Sequence, residues 1–387
     1  MTYRKFKADY LFTGEGLAAP ESVLITTTDG AVQGVVPFSD AGDGIECYTG
    51  LISPGFVNCH CHLELSHLRG VIPEGTGLVD FLTGVIHTRN QPGDKDAVQR
   101  AIAEGEREML DGGIVAVGDI CNTTDTLEQK AKAGLYYHNF IETIGFNETS
   151  AQERWAHSLA VYDRFGAVGS IVAHAPYTAS PALFRLIAAL PGNRLQTIHN
   201  QESEEENLFM TYASGDLLRL YRQLGIDISF FEGFGKRSLA VWPSYFHRHQ
   251  TVIAVHNVAT SKEDLEGLPK DGPTLHFCLC PRANLYISGR LPDIDVLLRQ
   301  DCRIVIGTDS LASNKGLSVL EEIKTLQRSN PRLDTPLLLK WATFNGARAL
   351  GIEDIFGSLK PGRRPGVLLL SYAEDGSLKE ATVRRLL

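Results

Sequence analysis

The feature that most constrains the fold is a regular alternation of short apolar segments with segments of helical periodicity. Eight of the apolar segments predict β-strands: LISPGFVNCH, GIVAVGDI, YYHNFIETI, GSIVAHAPY, RLQTIHNQ, TVIAVHNV, TLHFCLC and RIVIGTD. Between them, segments such as DAVQRAIAEGEREMLDGG and SPALFRLIAALP repeat their apolar residues at helical spacing. Eight βα units favour a closed barrel, for which about 250 residues are typical. The competing doubly wound open sheet lacks its G-x-G-x-x-G motif after the first strand.

The two ends of the chain have a different pattern. YRKFKADYLF and SVLITTTDGAVQGVVPF predict short strands with a hairpin turn at Asp29-Gly30, and the last residues predict two more strands around Asp375-Gly376. We therefore predict an α/β protein: a (β/α)8 TIM barrel, residues 54–355, with a small β-sandwich domain built from both termini, residues 1–53 and 356–387.

Residues 207–249 form a connection between the fifth and sixth strands that is longer than usual and rich in aromatic side chains. Two interpretations stay open. The segment is either helical packing or a dimer surface, or it is a lid or one wall of a substrate pocket.

Polar residues lie where several of the predicted strands end. In a TIM barrel, the C-terminal ends of the strands carry the active site. The residues of this kind that suit metal binding are Asp119, His174, His199, His256 and Asp309.

The motif Cys59-His60-Cys61-His62 ends the first predicted barrel strand. Because side chains alternate along a strand, the two histidines share one face and the two cysteines the other, so only one pair converges on a metal. Together with His199 and Asp309, the histidines give three nitrogens and one oxygen, which suits zinc or ferrous iron and leaves room for water.

The rival is a thiolate site built from four cysteines: Cys59, Cys61, Cys278 and Cys280. Its C-x-C spacing differs from the C-x2-C spacing of common structural zinc sites. If the histidines bind the metal, the cysteines are predicted to pack among apolar side chains.

Five motifs, in this order and spacing, resemble the amidohydrolase superfamily: PGFVNCHCHLE, IHNQE, VHN, CPRAN and GTDSLASN. More narrowly, they resemble its aminohydrolase branch of guanine, cytosine, S-adenosylhomocysteine and aminodeoxyfutalosine deaminases. The similarity spans nearly the whole chain.

The resemblance implies one metal ion held by four residues: His60, His62, His199 and Asp309. It also implies that Glu202 is the proton shuttle and that His256 orients or activates the attacking water, with Asp309 accepting a hydrogen bond from that water. The other acidic residues of the run after Glu202, namely Glu204, Glu205 and Glu206, are predicted to be solvated.

Three residues are predicted to contact the substrate: His174, Arg282 and Asn284. His174 resembles a position at which branch members contact the substrate. Arg282 either meets a carboxylate of the substrate or lies on the surface.

The number of metal ions follows from the resemblance as well. Binuclear members use a carboxylated lysine at the end of the fourth strand, and this chain has no lysine between Lys132 and Lys236. A mononuclear site is therefore expected, unless a carboxylate such as Glu142 replaces the bridge. Zinc is the expected ion, with iron as the alternative.

The predicted function is hydrolytic deamination of an amino-substituted nitrogen heterocycle, a purine derivative, with release of ammonia. HCHLELSHL, TGLVDFL and CPRANLYISGRLPDI resemble the menaquinone-pathway deaminases, which favours 6-aminodeoxyfutalosine or an adenosine-like compound. The alternatives are hydrolysis of another C–N or C–Cl bond, as in a triazine or cyclic amide, and a binding barrel without activity.

Composition bounds the partners. The net charge is -9 and the basic residues are scattered, so we expect a small-molecule substrate and neither nucleic acid nor a membrane as partner. The N-terminus lacks the pattern of a signal peptide, which favours a cytoplasmic protein. Seven cysteines, an odd number, argue against a disulfide framework. Since branch members are often dimers, a homodimer is one expectation.

Overall fold

The computed structural model describes residues 2–89, 91, 94–166, 168–371 and 376–387. Six short strands come first: β1 (Tyr3–Lys7), β2 (Tyr10–Leu11), β3 (Ser22–Thr27), β4 (Val32–Pro37), β5 (Ile45–Cys47) and β6 (Leu51–Pro54). Eight strands follow: β7 (Phe56–Cys61), β8 (Ile114–Cys121), β9 (Tyr136–Thr143), β10 (Gly169–Ala173), β11 (Leu195–Asn200), β12 (Thr251–His256), β13 (Thr274–Leu279) and β14 (Ile304–Ile306). The last two are β15 (Val367–Leu370) and β16 (Val383–Arg385).

Strands β7 to β14 form the barrel. They pair in parallel and in chain order, as one arc from β7 to β10 and another from β11 to β14. The arcs are joined on both sides by backbone hydrogen bonds, from His199 N to His174 O (2.9 Å) and from Asp309 N to His60 O (3.0 Å). The protein is thus an α/β protein with a TIM barrel, as the alternating pattern predicts.

The first predicted strand, LISPGFVNCH, is wrong as a single element, because the structure divides it at Gly55 into β6 and β7. Gly55 is too closely packed to carry a side chain, since a Cβ there would lie 2.3 Å from Val115 Cγ1 and 2.7 Å from Pro365 O. The chain therefore passes from a terminal sheet into the barrel at this glycine.

Two four-stranded sheets contain the remaining strands, in the orders β4-β3-β1-β5 and β16-β15-β6-β2. The hairpin predicted at Asp29-Gly30 is confirmed, because β3 and β4 pair antiparallel and Gly30 has a φ of 87°. The second sheet combines both ends of the chain, since β6 pairs antiparallel with β15. The turn predicted at Asp375 lies outside the described residues.

Thirteen α-helices are described: α1 (Leu78–Arg89), α2 (Lys95–Asp111), α3 (Leu127–Lys130), α4 (Ala151–Phe165), α5 (Pro181–Ala189), α6 (Glu204–Tyr212), α7 (Leu217–Gln223), α8 (Lys262–Glu266), α9 (Pro281–Ser288), α10 (Ile294–Arg299), α11 (Val319–Ser329), α12 (Thr335–Lys340) and α13 (Gly346–Leu350). Side chains cap several helices. For example, Ser180 accepts a hydrogen bond from Leu183 N (3.2 Å) at the start of α5. Within the described ranges, no helix has both the length and the apolar composition to cross a bilayer.

The aromatic segment 207–249 has two structural roles. Trp242 is buried, and its indole Nε1 donates a hydrogen bond to Asn200 Oδ1 (2.8 Å) at the end of β11. Helix α7 contributes Leu220 and Tyr221 to the wall of a large cavity at the barrel mouth. Packing and a pocket wall, the two interpretations of this segment, are therefore both present.

Candidate active site

Four residues predicted as metal ligands come together at the C-terminal ends of the barrel strands. His60 lies in β7 and His62 follows it, so both side chains leave the same face of the chain. His199 lies in β11, and Asp309 follows β14. All four side chains are buried.

Four distances between atoms of these residues are close to the separations expected around one ion. His62 Nε2 is 3.2 Å from His60 Nε2 and 3.3 Å from His199 Nε2. Asp309 Oδ1 is 3.6 Å from His60 Nε2 and 3.5 Å from His62 Nε2. Tetrahedral zinc with bonds of about 2.0–2.1 Å separates its ligand atoms by about 3.3–3.4 Å. These four distances suit ligands of a single zinc-sized cation. Among the described residues, the three-residue groups that could hold such an ion here include His60 with His62 and Asp309, and His60 with His199 and His256.

Neighbouring groups orient two of these ligands. His199 Nδ1 donates a hydrogen bond to the backbone oxygen of His174 (2.7 Å), which leaves the Nε2 lone pair for a metal. Ser313 Oγ donates to Asp309 Oδ2 (2.7 Å), so Oδ1 is the oxygen that faces the histidines.

The electrostatics keep the ligands in their metal-binding forms. Burial lowers the pKa of His62 and of His199, and the neighbouring imidazoles lower it further, so both rings are neutral at pH 7. Burial alone would raise the pKa of Asp309. The attraction of the carboxylate to His60 and to the other nearby imidazoles outweighs that effect, so the pKa of Asp309 lies well below its usual range.

Glu202 and His256 lie beside the four ligands and line the same cavity. Glu202 Oε1 is 3.6 Å from His256 Nε2. Burial, followed by the charge of Asp309, raises the pKa of Glu202 well above its usual range. Burial lowers the pKa of His256 to about 3, so its ring is neutral at pH 7.

The prediction that the acidic residues after Glu202 are solvated is wrong for Glu206. Glu206 is fully buried and accepts a hydrogen bond from Ser238 Oγ, and burial raises its pKa to about 7. Glu204 is exposed, as expected. Helix α6 turns Glu206 towards the segment that contains Ser238, a contact between residues that are distant in sequence.

The two cysteines of the Cys59-His60-Cys61-His62 motif do not lie with the histidines in the candidate metal groups. Cys59 and Cys61 are buried free thiols in two different apolar clusters. Burial raises the pKa of both thiols well above the usual value, which disfavours the thiolate form that binds metal. Among the described residues, the candidate metal groups consist of histidines and carboxylates.

Asp119, at the end of β8, has a structural environment instead of a catalytic one. It is buried, and its Oδ2 lies 2.5 Å from the Nζ atom of Lys130. Its Oδ1 accepts a hydrogen bond from the backbone N–H of Leu63 (2.9 Å), the residue after His62.

The three predicted substrate contacts have different positions. His174 lines the cavity, and burial lowers its pKa to about 4. Asn284 does not line it, but its Nδ2 donates to His256 Nδ1 (2.9 Å). Arg282 is not among the residues that line this cavity, and its backbone N–H donates a hydrogen bond to Glu322 Oε2 (2.9 Å). The contact of Arg282 with the substrate stays a prediction.

The cavity has a volume of about 680 Å³, within the range typical of small-molecule sites. The polar residues of its lining include His62, His199, Glu202, His256 and Asp309. The apolar part of the lining comes from α1, α7 and the residues after α7, and includes Leu82, Ile86, Leu220, Leu224 and Ile226.

Sequence reasoning named Glu142 only as a possible replacement for the bridging lysine, and it missed the two arginines that line this cavity. Glu142, at the end of β9, has its Oε1 hydrogen-bonded by Asn122 Nδ2 (3.1 Å) and its Oε2 3.8 Å from His199 Nδ1. The arginines in the wall are Arg89 and Arg154. Both lie on helices near polar loops, where no spacing rule distinguishes them from surface arginines.

A model described as the amidohydrolase family matches residues 51–380. The chain belongs to the amidohydrolase family. The resemblance carried by the five sequence motifs is thereby confirmed.

This amidohydrolase is similar to proteins named as deaminases. A 5-methylthioadenosine/S-adenosylhomocysteine deaminase from Desulforudis audaxviator is 28% identical over 373 residues, which cover 92% of this chain and 81% of that protein. The structure of aminofutalosine deaminase from Helicobacter pylori in complex with methylthio-coformycin has a TM-score of 0.80 at 19% identity, and the match covers 97% of this chain and 94% of that chain. An adenosine deaminase from Xanthomonas campestris with bound zinc has a TM-score of 0.72 at 21% identity, covering 96% and 85%.

Proposed function

We propose that this amidohydrolase is a metal-dependent deaminase that hydrolyses the C–NH2 bond of an adenosine-like purine and releases ammonia. The observation that carries the proposal is that His62, His199 and Asp309, close to the buried His60, line a cavity of about 680 Å³ together with Glu202 and His256. The relatives named as purine deaminases support the choice of substrate.

The proposed ion is zinc, held by four residues: His60, His62, His199 and Asp309. Three nitrogens and one oxygen also accept ferrous iron, which is the alternative. When bound, such an ion lowers the pKa of a coordinated water to about 7 and so makes hydroxide available at neutral pH.

Glu202 is the proposed proton carrier. It takes a proton from the attacking water and delivers it to the ring nitrogen next to the amino-bearing carbon, and it then takes the remaining proton of the new hydroxyl group and gives it to the departing amine. Water is thereby split between the two products: the oxygen stays on the carbon, and the amine leaves as ammonia. The burial of Glu202 beside His256 suits a carboxyl group that alternates between its protonated and ionised forms.

His256 and Asp309 assist the same step. His256 Nε2 faces Glu202 and donates a hydrogen bond to the oxygen that gains negative charge during the attack. Asp309, with its pKa held low, remains a carboxylate and accepts a hydrogen bond from the attacking water.

The proposed substrate is an adenosine carrying a substituent at its 5′ position, with 6-aminodeoxyfutalosine as the first compound to test. The purine would lie against the polar residues of the cavity, next to Glu202 and His174. The substituent would extend towards the apolar part of the lining, against Leu220 and Ile226.

The test is an assay of ammonia release by zinc-loaded protein on a panel of aminopurine nucleosides and aminopyrimidines. We expect release from at least one 5′-substituted adenosine, in equal amount to the oxo product. Lack of release from the whole panel, with one zinc per chain present, would contradict the proposal. Triazines and cyclic amides in the same assay distinguish hydrolases of other bonds.

Glu202→Gln tests the proton carrier. The amide cannot carry the proton, so kcat should fall by about 10²–10⁴ while the zinc content stays unchanged. The matched control is Glu204→Gln, which changes an exposed side chain two residues away. Equal activity of both variants would remove Glu202 from the mechanism.

We also propose that residues 1–53 and 356–387 form a β-sandwich domain built from both termini, beside a hydrolase barrel of residues 54–355. The support is a cluster of buried apolar side chains shared by the two terminal sheets, which includes Phe6, Leu24, Ile52 and Val367. A homodimer and a cytoplasmic location stay predictions from the sequence.

A further inference from the structure

Asn284 is a buried amide with one polar contact from its side chain. It lies in α9 and is 1% exposed. Its Nδ2 is 2.9 Å from His256 Nδ1, and its Oδ1 has no hydrogen-bond partner within the described part of the chain. Burying an amide whose oxygen has no hydrogen-bond partner is unfavourable. Because the hydrogen bond to His256 is the contact that the amide does make, we take this contact as the reason for a polar residue at this position.

The direction of this hydrogen bond determines where the imidazole carries its proton. The Nδ2 group of asparagine donates and cannot accept, so His256 Nδ1 is the acceptor and has no hydrogen. A neutral ring then has its proton on Nε2. That nitrogen faces the active centre, 3.6 Å from Glu202 Oε1.

The backbone around His256 is fixed separately from the ring. His256 and Asn257 have positive φ values of 76° and 60°, a conformation that is unfavourable for residues other than glycine. Asn257 holds this turn, since its Oδ1 accepts from Asn200 Nδ2 (3.0 Å) and its Nδ2 donates to Ala254 O (2.9 Å). These bonds fix the path of the chain but do not contact the ring nitrogens. Asn284 therefore has a distinct role.

We propose that Asn284 is a positioning residue that holds His256 as the Nε2–H tautomer and thereby directs a hydrogen-bond donor at the oxygen that becomes negatively charged. The catalytic consequence rests on the proposed deaminase function. The tautomer rests on the geometry of Asn284 and His256 alone.

Asn284→Asp tests the tautomer with almost no change in shape. A carboxylate accepts where the amide donates, so it attracts a proton to Nδ1. The measurement is ¹⁵N NMR of zinc-loaded protein labelled at histidine, with the His256 signals assigned by their loss in His256→Gln. We expect Nδ1 to be unprotonated in the wild type and protonated in Asn284→Asp. Protonated Nδ1 in the wild type, or an unchanged ring in the variant, would overturn the proposal.

Kinetics provide the second measurement. We expect kcat of Asn284→Asp to fall by about 10²–10³, as for loss of one oxyanion donor, with KM changed less than about threefold. Ser288→Ala is the matched control, because Ser288 Oγ donates a hydrogen bond to the backbone oxygen of Asn284 on the same helix (3.1 Å) and not to its side chain. It should keep the wild-type tautomer and kcat. If kcat of Asn284→Asp falls no more than kcat of Ser288→Ala, the catalytic role of Asn284 is overturned.

A second variant provides the test if the Asn284→Asp protein does not fold. Asn284→Ala removes the donor, so Nδ1–H should become detectable in the same NMR experiment, and a pure Nε2–H ring would overturn the proposal. If the tautomer shifts as expected but the wild type deaminates no purine, the positioning role is supported and the proposed function fails.

Discussion

The buried ion pair between Lys130 and Asp119 should be essential for stability. Lys130 Nζ is 2.5 Å from Asp119 Oδ2, and the two side chains are 7% and 0% exposed. The Nζ atom also donates to Asn139 Oδ1 (2.7 Å). Two unit charges at this distance attract by about 7 kcal/mol at an effective dielectric constant of about 20.

Lys130→Met removes the ammonium and leaves the aspartate buried without its partner. Part of the Coulomb energy is offset because methionine requires no dehydration of a charge, so the net loss in the free energy of unfolding should be about 3–5 kcal/mol. Urea unfolding followed by tryptophan fluorescence measures this loss.

Two further variants test whether the Lys130–Asp119 ion pair is the source of the stability. Lys132→Met changes an exposed lysine two residues away and should cost less than about 0.5 kcal/mol. Adding Asp119→Asn to Lys130→Met should recover much of the loss, because an amide oxygen still accepts from Leu63 N without a buried charge. If Lys130→Met costs no more than Lys132→Met, or if the double variant recovers nothing, the pair is not the source of the stability.

The remaining predictions concern the metal, the cavity and pH. His62→Ala should lose the bound zinc as measured by metal analysis, whereas Cys59→Ala should retain it; equal zinc in both variants would contradict the ligand set. Ile226→Asp should raise KM for a 5′-substituted adenosine about tenfold with little change in kcat, and Ile355→Asp, on an exposed residue outside the cavity, should not. Glu206 has its pKa raised from 4.5 to about 7, so the folded state keeps a proton that the unfolded state loses. Stability should therefore fall by up to about 3 kcal/mol as pH rises from 4.5 to 7, and Glu206→Gln should flatten this slope in pH-dependent unfolding.

Local pattern was sufficient to predict the barrel and to predict which side chains of the candidate metal site lie close together. The period of two in Cys59-His60-Cys61-His62 separates the histidines from the thiols, and strand ends bring His199 and Asp309 to the same edge. The broken strand at Gly55 was not predictable, because the apolar run continues through it. Its cause is a close approach of Val115 and Pro365, which are distant in sequence.

Contacts between residues that are distant in sequence also determine the surroundings of the side chains near the site, and the local pattern does not predict them. Glu206 belongs to an acidic run, yet in the fold it is buried and accepts a hydrogen bond from Ser238, a residue that is distant in sequence. Asn284 was predicted from sequence as a substrate contact, and its contact with His256 could not be predicted because it depends on how α9 packs against the end of β12. Residue type and spacing do not determine such contacts between separate elements.

The pairing of β6 with β15 has a consequence for synthesis. Pro54 pairs with Val367, about 310 residues later in the chain. At a translation rate of about 5–20 residues per second, β6 leaves the ribosome about 15–60 s before its partner. During this interval the strand has an unpaired edge next to a nascent barrel, a surface that chaperones bind and that aggregates readily. Interrupted synthesis would therefore produce a chain with every metal ligand present but with an open β edge.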